Sequence, residues 1–133
     1  MQIDEAILLD IVQAAQLVLA FKQGMSRDAF FRDLKTQSAV LHQLMVMGEA
    51  VKRLSTAFRA QHVDIPWMLI AGMRDHLIHG YDIVDLEEVW KTATVDIPER
   101  LLKIEPMLPN QSTQEDDISK NAEVQPQNGE SPS

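Results

Sequence analysis

The chain has 133 residues, a formal net charge of −8 and no cysteine, and its aliphatic residues and methionines greatly outnumber its aromatics. That length holds one domain with a single modest core. The lack of cysteine excludes a disulfide framework and a thiolate zinc site, and the net acidity argues against a broad basic surface for nucleic acid.

In chain order, Asp4 is a candidate N-cap for a first helix running to about Phe21 or Lys22, with Ile7, Leu8, Ile11, Ala14, Ala15 and Val18 on its apolar face. Asp4 and Glu5 before the first apolar run, and Asp10 within it, do not read as a signal peptide. No stretch is long and apolar enough to cross a bilayer, so a cytoplasmic protein without a membrane partner is expected. Gly24 ends the first helix, and Ser26 caps a short one carrying Phe30 and Phe31. A longer helix is predicted from about Thr36 to about Gln61, where Val40, Leu44, Met47, Val51, Leu54 and Phe58 keep the helical period. Pro66, at a first helical position behind a cap at Asp64 or Ile65, begins a helix that Gly80 should close in the left-handed conformation. Asp85 with Glu88 three residues on is a carboxylate variant of the capping box, opening a last helix through Leu86, Val89, Trp90 and Ala93. Pro98 should kink or restart that helix, and Leu101, Leu102 and Ile104 continue its burial. Brief loops between such helices make an all-α, antiparallel bundle of four to five helices the economical fold, over residues 1–105. From Pro106 the composition turns polar, and 106–133 read as a disordered acidic tail. Five carboxylates against Lys120 give that tail −4 of the total charge, leaving −4 on the domain.

The densest chemistry lies in Met73-Arg74-Asp75-His76-Leu77-Ile78-His79-Gly80-Tyr81, which holds a guanidinium, two imidazoles and the chain's one tyrosine. Ile70, Met73 and Leu77 take the buried face, so the polar residues fall on its flanks. On an ideal helix Arg74 and His79 would stand about 140° apart. Either the last turn is distorted, or a second copy of the chain supplies the partner group. Residue chemistry alone also fits an Arg74 paired with a bundle carboxylate such as Glu49 and a His79 that only caps a helix.

The spelling Arg74-x4-His79-x-Tyr81 is similar to the R-x4-H-x-Y motif of HEPN domains, in particular the HepT-like toxins encoded beside a minimal nucleotidyltransferase antitoxin. Gly24-Met25-Ser26, Lys35-Thr36-Gln37-x-Ala39-Val40, Gly48-Glu49-Ala50, Ile65-Pro66-Trp67-x-x-Ile70-Ala71-Gly72-Met73-Arg74 and Asp85-Leu86-x-x-Val89-Trp90 resemble that family in its usual order, over residues 4–105. The resemblance implies a dimeric, metal-independent endoribonuclease toxin with Arg74 and His79 catalytic at a dimer cleft. It also implies an antitoxin that transfers AMP to Tyr81 and silences the enzyme. Metal-free RNA cleavage needs a base for the 2′-hydroxyl, an acid for the leaving 5′-oxygen and positive charge for the phosphorane. Histidine suits the first two and arginine's charged fork the third. The second proton carrier would be the dimer mate's His79 or the nearby His76, and Asp75 is a candidate to orient Arg74 or a histidine.

His76 and His79 could also chelate zinc from one helix face with Asp75, Asp82 or Asp85, yet no HExxH motif or complete ligand set accompanies them. No metal or other cofactor is therefore expected, and no glycine-rich phosphate loop is present. Lys22, Arg27, Arg32 and Lys35, like Lys52, Arg53 and Arg59, read as a solvated, salt-laced surface that could also track RNA or dock the antitoxin. The rival function is a non-catalytic helical module that completes a nucleotidyltransferase complex.

Overall fold

The computed structural model describes residues 2–80 and 83–109. Helix α1 (Gln2–Lys22) packs against α3 (Leu34–Arg53) as the central pair. Between them lies α2 (Arg27–Phe31), capped by Ser26 Oγ accepting from the Ala29 N–H, after Gly24 turns the chain at φ +77°. The anticipated apolar face of α1 is buried, joined by Val12. Asp4 is not an N-cap but lies inside α1. Its carboxylate accepts from the backbone N–H (2.9 Å) and hydroxyl (2.7 Å) of Ser55, just past the end of α3. The start of α1 thus meets the end of α3, and the two helices run antiparallel.

The Ser55 bonds also explain why the long predicted helix is two. Leu54 is extended at ψ 143°, and Ser55 caps α4 (Thr56–Gln61) by accepting from the Phe58 N–H. A serine that can satisfy free helical donors favours a new start over continuation. Asp33 does the same for α3, so that helix begins at Leu34, ahead of Thr36.

Hydrogen bonds from Ser55 hold the Asp4 carboxyl below its ordinary value, and bonds from Thr36 do so for Asp33. A depressed carboxylate contributes stability above its unfolded value and loses it as pH falls through the folded one. We expect Asp4→Asn to be less stable than wild type at neutral pH, with the gap narrowing down the acid limb. Denaturant melts at pH 7 and in that limb measure it.

Pro66 stands just outside the next helix, which starts at Trp67 (α5, Trp67–Ala71). Gly72 breaks it from α6 (Met73–Leu77). The chain then leaves helical geometry at Ile78, two residues before the expected stop at Gly80. Ile78–His79 (β1) and Ile83–Val84 (β2) form a short antiparallel pair in register Ile78↔Val84 and His79↔Ile83. Three of those four residues are β-branched and suit a pleated pair better than a helical end. Gly80 has the left-handed φ of +71° but uses it after a strand, not as a helix cap.

The last helical run is α7 (Leu86–Lys91), a π-turn over Thr92–Asp96, α8 (Ile97–Ile104) and a 3₁₀ turn at Glu105–Met107. Pro98 lies in the first turn of α8, which restarts after the π-turn as one of the two outcomes expected there. It lacks the N–H that would bond Thr94, and the chain widens before it, with the Ile97 N–H reaching Thr92 O. Ile97, Leu101 and Ile104 are buried, whereas Leu102 is 79% exposed, one residue off that face. Met107 and Leu108 pack against the core, past the boundary expected at 105. The anticipated tail beyond Pro109 lies outside the described residues. No helix among the described residues is long and apolar enough to cross a membrane.

Candidate active site

Met73 and Leu77 bury one side of α6, which leaves Arg74, Asp75 and His76 exposed. Arg74 Nη1 lies 4.0 Å from Asp75 Oδ1, a loose contact between solvated neighbours that leaves the guanidinium fork accessible. The carboxylate proposed to neutralise it is engaged elsewhere: Glu49 pairs with Lys52 at 2.8 Å. Among the described residues, no hydrogen bond or ion pair joins Arg74 to His79. Asp75 is 92% exposed and is not paired with a histidine.

His79 sits on β1 rather than in a helical turn, so the separation calculated for one straight helix does not apply. Its Nε2 lies 3.1 Å from Asp85 Oδ2. Asp85 is tied down from two further directions. Its Oδ1 accepts from the Glu88 N–H as the cap of α7, and its own N–H donates to Leu77 O at 2.8 Å. The capping box is therefore half formed. Glu88 does not reach back to Asp85 but accepts His76 Nε2 at 2.7 Å. An ionised carboxylate can only accept, so each imidazole presents its Nε2–H to its partner, and among the described residues neither Nδ1 has a hydrogen-bond partner.

Sequence reasoning offered Asp85 only as a possible zinc ligand and missed Glu88 as a site residue. The available signal was a matched spacing, His76-x-x-His79 against Asp85-x-x-Glu88. Each imidazole takes its own carboxylate, and among the described residues no three His, Asp or Glu side chains converge as a metal set. Tyr81, and Asp82 beside it, lie outside the described residues.

Beside His76 a cleft of about 340 Å³ opens between α5–α6 and the π-turn, floored by Ile70, Met73 and Ile97 and edged by Lys91, Asp96 and Arg100. Several basic side chains are tied locally. Arg27 pairs with Glu87 and lies 4.2 Å from the Phe31 ring, while Lys22 stands 5.8 Å from the Trp90 ring. Met47 and Trp67 are core, and Trp90 is half-buried against Phe30.

The helical frame, with its polar motif at the end of α6, has the character of an all-α HEPN-like domain. The family model described as "Ribonuclease HepT-like" matches residues 2–107. The chain belongs to this HepT-like ribonuclease family. It is 43% identical over 91 residues, 68% of its length, to "Probable ribonuclease HepT" of Thermococcus cleftensis, covering 83% of that protein. A Methanocaldococcus jannaschii protein provisionally named an RNase is 36% identical over 103 residues, 77% of this chain and 85% of its own. One of Caldanaerobacter subterraneus, also provisionally named an RNase, is 39% identical over 89 residues, 67% and 80% of the two chains. No solved structure matches the chain.

Proposed function

We propose that the chain is a cytoplasmic endoribonuclease toxin that cleaves RNA without a metal, through Arg74 and His79 at a homodimer cleft. A minimal nucleotidyltransferase antitoxin would neutralise it by transferring AMP to Tyr81. The observation that carries this reading is the complete Arg74-x4-His79-x-Tyr81 motif in a chain whose family match spans 2–107, with Arg74 and His79 both exposed. In the reaction an imidazole takes the 2′-hydroxyl proton as that oxygen bonds to phosphorus. Arg74 stabilises the charge of the phosphorane, and the bond to the 5′-oxygen breaks as that oxygen receives a proton. The products are a 2′,3′-cyclic phosphate and a 5′-hydroxyl. Asp75 and His76 are supporting candidates, His76 through its place beside the cleft. AMP on Tyr81 would add a bulky anion two residues from His79, opposing phosphate binding by like charge.

The test uses purified chain, shown by intact mass to be unmodified at Tyr81, on total cellular RNA in EDTA. Wild type should cleave. Arg74→Lys keeps the charge but loses the fork, and should lower the rate by about 10²-fold. Undiminished cleavage by Arg74→Lys removes Arg74 from the mechanism. No cleavage by an unmodified dimer replaces the nuclease with the binding module.

A further inference from the structure

We propose that the first turn of α7 positions both imidazoles, Asp85 fixing His79 and Glu88 fixing His76, so that one chain carries both proton-transfer groups. This rests on the ribonuclease reading above and deepens it. The geometry is a short ladder extending the β1–β2 pair. Beyond the Ile78↔Val84 rung, the Asp85 N–H bonds Leu77 O, and beyond that Glu88 meets His76. Residues three apart on a helix are neighbours, with Cβ atoms about 5–6 Å apart, so the two carboxylates hold the imidazoles within about one turn of each other. That separation suits an acid and a base on either side of one phosphodiester.

With Nε2–H directed to Asp85, His79 offers an Nδ1 lone pair to the 2′-hydroxyl proton. Protonated His76 keeps one N–H on Glu88 and delivers the Nδ1 proton to the 5′-oxygen as its bond to phosphorus breaks. One proton is taken and one given, which balances the transesterification. Among the described residues the charged groups around His76 are Glu88 on α7, Arg74 and Asp75 on α6, and Lys91, Asp96 and Arg100 at the cleft, and the one paired with His79 is Asp85.

Asp85 is also a helix cap, so its two roles must be separated. Asn and Ser both cap well, but neither supplies a carboxylate. Asp85→Asn and Asp85→Ser should keep the wild-type melting temperature and KM and lower kcat by about tenfold or more. The His79 ring ¹⁵N spectrum should shift from the Nε2–H tautomer toward a mixture. Glu88→Gln should do the same to the His76 ring, and His76→Ala should remove one limb of the pH–rate profile. Wild-type kcat or an unchanged ring spectrum in both Asp85 variants, with His79→Ala inactive, overturns the positioning role and leaves the nuclease standing. Full activity in His76→Ala overturns its proton-donor role. Full activity in His79→Ala overturns the underlying site assignment instead, and the proposal with it.

Discussion

His79→Ala is expected to slow RNA cleavage by about 10²- to 10⁴-fold, the usual worth of a positioned proton carrier. The loss should fall on the chemical step, because alanine cannot take a proton and no other described side chain shares its place on β1. The fold should survive the change. The His79 side chain is 59% exposed, its described side-chain partner is Asp85, and a substitution at such a surface position moves stability by about 0.5 kcal/mol or less. On the proposed mechanism, residual activity would reflect Arg74, whose charge would act on the phosphorane independently of proton transfer. The measurement is a time course on total RNA in EDTA, with circular dichroism and dimerisation followed in parallel. A mutant as active as wild type would remove His79 from the chemistry.

Gly48→Val should strongly damage the framework. Gly48 is buried where α3 crosses α5, and a Cβ placed there would stand 3.0 Å from Ile70 O and 3.7 Å from Ala71 O. The 3.7 Å approach is ordinary contact, but the 3.0 Å one is tight and meets backbone, so no side-chain rotation relieves it. Gly48→Ala sets a crowding cost of about 1–3 kcal/mol against roughly 1 kcal/mol of gained helix propensity, a modest net loss. Valine adds two γ carbons to the same gap and gives up part of that propensity. We expect a loss of about 3 kcal/mol or more for Gly48→Val, read as a fall in denaturant midpoint at constant m. Activity should fall with it, since pushing on Ile70 and Ala71 displaces the segment that leads into Arg74.

Much of the helical frame was legible in the sequence because burial follows period. The apolar positions anticipated in α1 and along Val40–Leu54 are buried, and Ser26 and Asp85 cap the helices they were expected to cap. The departures arose where a local hydrogen bond outweighed period. Ser55, bonded to Asp4 51 residues away, divides a helix whose apolar pattern runs on unbroken. Ile78, Ile83 and Val84 pair as strands because of each other, which no single window of sequence displays. At the candidate site, the exposed flank carrying Arg74 followed from the burial of Met73 and Leu77. The partners of His76 and His79 did not follow, because they depend on how the hairpin returns the chain to α7.

The π-turn at Thr92–Asp96 carries an implication for the phase of the molecule. A turn widened by one residue sets everything after it back by about 100° relative to an uninterrupted α-helix. The extra residue therefore lets a single rod serve two clients facing different ways, with Asp85 and Glu88 addressing the histidines at one end and Ile97, Leu101 and Ile104 addressing α1 at the other. Deleting the exposed Val95 removes no core side chain, yet it would return the rod to a single phase. The histidine partners and the α1 contact could then no longer be served together, so a frame-preserving loss of one surface residue should disable the protein more thoroughly than most substitutions in its core.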